Sequence, residues 1–219
     1  MTGRSYTASE ARVVISPIWV RLVDTFTGGP PSGPIGVQVE LRRESRWVPW
    51  PAPHWLTLAG NLAFPNLGRT PPGAGGTLDL RVTATAPGTV TESADGDGWL
   101  RRTLTTWTPP YPAAPPAPGT LRFYPGPGYR FGAGIAVLSG RVEAATGDPA
   151  DRARVSVVEN VAGHPQAEEV RTGPDGAFRL PVRWSAGATR IDAALGTAAG
   201  FVVVDLPSGL RTHPIITIT

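Results

Sequence analysis

The chain contains three histidines, His54, His164 and His213, each next to a proline and each in a different loop-like stretch. A zinc site draws three or four nitrogen or sulfur ligands at short, readable spacings, and these three do not supply one. The absence of cysteine removes thiolate metal sites, disulfides and cysteine nucleophiles together. Asp95-Gly96-Asp97-Gly98 opens like a calcium loop, but Trp99, Leu100, Arg101 and Arg102 follow and no glutamate closes it. A tight turn is expected there instead. No G-x-S-x-G occurs, and the glycine-rich stretches at 73–76 and 126–128 precede no helix that would aim amides at a phosphate. The expectation is a non-enzymatic protein without metal or cofactor.

What the sequence offers in place of catalysis is aromatic surface. Trp47-Val48-Pro49-Trp50-Pro51-Ala52-Pro53-His54-Trp55 places three indoles in nine residues, stiffened by proline. A second aromatic run holds Tyr111, Phe123, Tyr124, Tyr129 and Phe131. Large rigid rings give contact area at low entropic cost, so such clusters serve as binding hot spots. Trp47, Trp50, Trp55, Tyr111, Phe123, Tyr124, Tyr129 and Phe131 are therefore the candidate interface residues. Two other uses stay open for the tryptophans: stacking on sugar faces, or packing on their own prolines as a cap of their own sandwich.

The elements that must hold these rings are strands. Val37-Gln38-Val39-Glu40-Leu41, Leu78 to Ala84 and Phe178 to Trp184 alternate apolar and polar residues with period two. A strand sends such a pattern to opposite faces, so one side walls a core while the other stays wet. Turn clusters separate the runs (Thr27-Gly28-Gly29-Pro30-Pro31, Thr146-Gly147-Asp148-Pro149, Gly173-Pro174-Asp175-Gly176), as in a β-sandwich. No helical stripe of ten residues appears. Residues 108–120 (TPPYPAAPPAPGT) carry six prolines, which donate no backbone hydrogen bond and fix φ. As polyproline II this stretch would span roughly 40 Å. The expected division is a first sandwich with an aromatic loop at 1–107, a Pro-rich aromatic bridge at 108–133 and a second sandwich at 134–219.

The chain is 219 residues long, with 27 glycines and 25 prolines, yet 41% of it is hydrophobic and seven residues are tryptophan, enough for a buried core. Twenty basic residues, all arginine, face 17 acidic ones for a net charge of +3. The densest basic stretch, Leu41-Arg42-Arg43-Glu44-Ser45-Arg46, is interrupted by glutamate, so nucleic acid is not an expected partner. There is no 18-residue apolar run to span a membrane. The opening MTGRSYTASEAR lacks the apolar region of a secretory signal, so a cytoplasmic protein is expected.

The halves also resemble each other. Val20 to Gly28 leading to Gly36–Leu41 matches Gly140 to Pro149 leading to Ala153–Val158, and Gly60-Asn61-Leu62-Ala63-Phe64 matches Gly176 to Leu180. A duplicated module is expected, with Ala94-Asp95-Gly96-Asp97-Gly98-Trp99-Leu100 as a rival for the second match. Within 140–180, Thr146, Gly147 and Pro149, then Ala153, Val155 and Val157, then Thr172, Asp175, Gly176, Phe178 and Leu180 resemble the motif of the carboxypeptidase-regulatory-like domain, a transthyretin-like Greek-key sandwich. The resemblance implies an all-β fold of two tandem transthyretin-like sandwiches joined by a Pro-rich linker. Residues 123–142 are similar to segments that precede such domains in proteins of phage tails and extracellular contractile injection systems. That implies a structural or adaptor protein assembled into a contractile tail-like particle, with other protein subunits as partners. The alternative is a carbohydrate- or cell-surface-binding sandwich.

Overall fold

The computed structural model describes residues 16–70, 75–108 and 117–219. The protein is all-β: among the described residues there are sixteen strands, one 3-10 turn at Ser208–Arg211 and no α-helix. The N-terminal half holds β1 (Trp19–Asp24), β2 (Gly36–Arg43), β3 (Arg46–Pro49), β4 (Trp55–Leu56), β5 (Asn61–Ala63), β6 (Thr77–Thr85), β7 (Thr89–Glu92), β8 (Leu100–Thr105) and β9 (Gly119–Pro125). The C-terminal half holds β10 (Val137–Ala144), β11 (Arg154–Val161), β12 (His164–Arg171), β13 (Ala177–Pro181), β14 (Gly187–Leu195), β15 (Ala198–Leu206) and β16 (Ile215–Ile218).

Each half builds two sheets over one core. In the N-terminal half the orders are β4-β5-β1-β9-β7 and β3-β2-β6-β8; in the C-terminal half they are β13-β10-β16 and β12-β11-β14-β15. Val20, Leu22, Leu62, Leu121 and Phe123 of the first sheet meet Val39, Leu41, Leu80, Val82 and Leu100 of the second. Leu138, Val142, Phe178, Leu180 and Ile216 meet Val155, Val157, Val170, Ile191 and Val204 in the other core. The period-two runs are the walls of these cores: Leu80, Val82 and Ala84 are buried while Asp79, Arg81 and Thr83 lie on the other face of β6.

The strand orders of the halves superpose as lists. β1 is antiparallel to β5 and parallel to β9, as β10 is antiparallel to β13 and parallel to β16. The Gly60 segment, not the Asp97-Gly98 segment, thus stands where Gly176 to Leu180 stands, because β8 occupies the place of β15. Gly60 and Gly176 both have φ of 75°. A Cβ would lie 2.4 Å from Pro30 Cβ at the first and 2.4 Å from the Val142 carbonyl oxygen at the second, so both turns need glycine. The N-terminal half adds two edge strands without counterparts, β4 beside β5 and β7 beside β9.

The expected bridge at 108–133 requires correction. Residues 119–125 are strand β9, hydrogen-bonded on both sides within the first sheet, with Leu121 and Phe123 fully buried. Leu121-Arg122-Phe123-Tyr124 carries the period-two pattern, masked by flanking proline and glycine. Most of the proline run, with Tyr111, lies outside the described residues.

Candidate functional site: two sets of aromatic residues

The candidate aromatics separate into an internal set and an edge set. Phe123, expected at a contact surface, lies in the N-terminal core because β9 turns its odd-numbered side chains inward. Tyr124 faces the other way, and the Arg171 guanidinium sits 4.0 Å from its ring centroid. Arg171 is itself buried, donates from Nε to Glu92 Oε2 at 2.9 Å and pairs with Glu169 at 2.5 Å. Nearby, Arg152 Nη2 donates to the Thr91 carbonyl at 2.6 Å. Tyr124, Thr91 and Glu92 belong to the N-terminal half and both arginines to the other, so these contacts join the halves.

A second group of contacts completes the junction. Asp24, almost fully buried at the end of β1, accepts from the Phe26 and Thr27 amides at 2.9 and 3.2 Å and from the Tyr129 hydroxyl at 2.7 Å. Burial, reinforced by that bond and by the Asp24 charge, pushes the Tyr129 hydroxyl well above the usual tyrosine range. Phe26, Tyr129 and Phe131 meet edge-to-face or tilted, with centroids 4.9 to 5.7 Å apart. Arg183 lies 4.1 Å over Phe26, and Arg179 donates to the Tyr129 carbonyl at 3.0 Å. Tyr124, Tyr129 and Phe131 are therefore contact residues, but within the chain.

The carboxylates near this junction have partners of their own. Glu159 points inward at one end of the second core and accepts from the amides of Arg183, Trp184 and Ser185. Burial raises the affinity of Glu168 for its proton, opposed by Arg183 at 2.8 Å and assisted by the Glu159 charge. The Asp95-Gly96-Asp97-Gly98 turn binds a cation that the chain itself supplies. Arg101 reaches both carboxylates, at 3.2 and 2.5 Å, and holds the Asp97 carboxyl down at about 2. No group of three or more His, Asp or Glu suited to a metal ion occurs among the described residues.

The tryptophan segment behaves differently at each ring. Trp47 on β3 is half-buried because the Arg81 guanidinium is stacked between it and Trp99, at 4.8 and 4.1 Å, while Glu40 holds that guanidinium through Nε at 2.6 Å. Trp50 packs partly against the core. Trp55 remains 57% exposed on β4. Trp50 and Trp55 line one groove of about 770 Å³ together with Pro53, Leu67, Leu78 and Arg69. That volume falls in the ordinary range of ligand pockets.

The floor of the groove is fixed by a side chain that sequence reasoning left unassigned. Trp107 is buried, donates from Nε1 to the Leu67 carbonyl at 2.8 Å and exchanges backbone bonds with Gly68 and Thr70. The turn from Pro65 to Thr70 is thereby pinned, with Asn66 held at a φ of 58°. Four of the ten large apolar side chains exposed among the described residues lie in this stretch: Val48, Trp55, Leu56 and Leu58. The other six all belong to the C-terminal half, where Arg190 lies 4.0 Å over Phe201. Leu56 and Leu58 had a readable signal, the apolar residues continuing past Trp55 where the duplicated pattern breaks between Leu41 and Gly60. The chain matches no family model and no curated protein.

Proposed function

We propose that the protein is a non-enzymatic structural adaptor, an accessory component of a contractile phage-tail-like particle that assembles in the cytoplasm, built from two carboxypeptidase-regulatory-like, transthyretin-like modules. The shared strand order of the halves, each with its first strand parallel to its last, supports the modular part. The observation that carries the functional part is the exposed apolar stretch at Val48, Trp55, Leu56 and Leu58, whose strand β4 lies at the opposite edge of the sheet from a junction whose arginines and aromatics are already paired. A chain with its halves fastened together and an apolar edge left open at β4 is suited to holding another subunit at a fixed distance.

The test uses the full chain as bait in a lysate of its own source, with Trp55→Ala/Leu58→Ser as control. Sheath, tube or baseplate subunits should be retained by the wild type and lost with the double variant. Retention of none, or equal retention by both, would refute the proposal.

A second reading, a carbohydrate- or surface-binding module, draws on one feature: Trp55 shares its groove with the polar side chains of Asn66 and Arg69. A glycan array separates the two, because an adaptor of protein subunits stays silent on it.

A further inference from the structure

Charge is distributed unevenly over this molecule. Residues 41–70 contain four arginines (Arg42, Arg43, Arg46 and Arg69) and one acidic residue, Glu44, which amounts to the whole +3 of the chain. The remaining residues hold sixteen basic and sixteen acidic side chains and balance. All four arginines are exposed, and none forms an ion pair among the described residues. Elsewhere Arg81, Arg101, Arg141, Arg171, Arg183 and Arg190 each have a carboxylate within 3.3 Å, while Arg21, Arg122, Arg130, Arg154 and Arg211 are exposed without one but stand in regions where acidic residues balance the charge. The local excess lies along the chain with the exposed apolar stretch: Arg69 lines the groove itself, and Arg42, Arg43 and Arg46 lie on the β2–β3 hairpin that leads into Trp50 and Trp55, Arg43 on the face of β2 that carries Val39 and Leu41 and Arg42 on the other.

Resting on the adaptor reading, we propose that the groove docks an extended, acidic segment of a partner protein. An apolar side chain of that segment lies against Trp50 and Trp55, and its carboxylates face Arg69 and the hairpin arginines. Charge complementarity selects an anion, since the local excess has no internal partner to satisfy it. The apolar edge selects among anions. Acidic glycans and single-stranded nucleic acids stack on flat rings, whereas Val48, Leu56 and Leu58 are aliphatic and offer no such face. A peptide with alternating apolar and acidic side chains meets both features at once, because extended backbone sends successive side chains to opposite sides.

The probes are two fluorescein-labelled decapeptides, one alternating Leu with Glu and one alternating Leu with Lys, titrated against the full chain by anisotropy. The Glu peptide should bind, weaken as salt rises and be lost with Trp55→Ala. Arg43→Glu/Arg69→Glu should weaken it about tenfold, through repulsion at a charged rim, with an unchanged melting temperature. Equal binding of the Lys peptide, binding of neither, or full affinity in the arginine double variant would overturn the proposal. So would displacement of the Glu peptide by oligogalacturonate or by oligo(dT). The lysate experiment keeps the two levels apart. Assembly subunits lost with Trp55→Ala/Leu58→Ser but kept by Arg43→Glu/Arg69→Glu leave the adaptor standing and sink the acidic segment.

Discussion

The two strands that the N-terminal half adds to its repeat end in opposite states. β7 flanks β9 and carries Thr91 and Glu92 into contact with Arg152 and Arg171 of the other half. β4 flanks β5 at the far edge of the same sheet and leaves Trp55 and Leu56 more than half exposed. Both are short additions to one sheet. The difference lies in what faces them: β7 meets two arginines whose charges and donors must be matched once buried, while β4 meets solvent. The same contrast holds for the aromatic side chains. Rings at 123–131 are enclosed by core or by guanidinium groups, and the ring at 55 is not. Aromatic density alone does not identify an external surface; what already covers each ring does.

The largest effect that would break this contrast is at Phe123. Phe123→Ala should cost roughly 3–5 kcal/mol in urea denaturation, the range for a fully buried phenylalanine. A cost below about 1 kcal/mol would mean that β9 is a peripheral segment after all. Arg171→Met comes next, at roughly 2–3 kcal/mol, because it leaves Glu92 and Glu169 without their donor. Calorimetry of that variant should show the two halves melting less cooperatively than in the wild type, and an unaltered single transition would contradict the junction.

Alkaline pH sharpens the comparison further. Tyr129 keeps its proton in the folded chain where an unfolded tyrosine loses it near pH 10. The unfolded state then binds fewer protons, so stability falls as pH rises above about 10. Tyr129→Phe should lower stability at neutral pH by roughly 1–2 kcal/mol, through loss of the bond to Asp24, and flatten the alkaline decline. A decline of unchanged slope would show that another group titrates. The smallest expected effect is at the open edge. Trp55→Ala/Leu58→Ser should stay within about 1 kcal/mol of the wild type, as surface changes do, while removing partner association. Unfolding of this variant would place both side chains in the core.

The sheets were the most legible part of the sequence, because period-two runs such as Leu80, Val82 and Ala84 depend only on local alternation. The match between Gly60–Phe64 and Gly176–Leu180 was legible for the same reason, since a φ of 75° at each glycine leaves a glycine in the sequence. The pairing of β1 with β9 was not. It is parallel and joins residues about a hundred positions apart, so no turn signal marks it. The fates of the aromatics were equally hidden: Trp47 and Tyr124 look alike in sequence to Trp55, and only the long-range approach of Arg81 and Arg171 tells them apart. The uneven charge at 41–70 is countable in the sequence, but the place of Arg69 in the groove of Trp50 and Trp55 depends on the fold.

Hydroxyl-radical footprinting of the native full chain tests the central contrast without any partner. Each residue's oxidation rate is compared with its rate in the denatured chain. Trp55, Leu56 and Leu58 should react at close to their denatured rates, while Phe123, Tyr124, Tyr129 and Phe131 stay protected until global unfolding. Reaction of Tyr129 and Phe131 in the native chain at rates matching Trp55 would contradict the separation into an enclosed junction and an open edge.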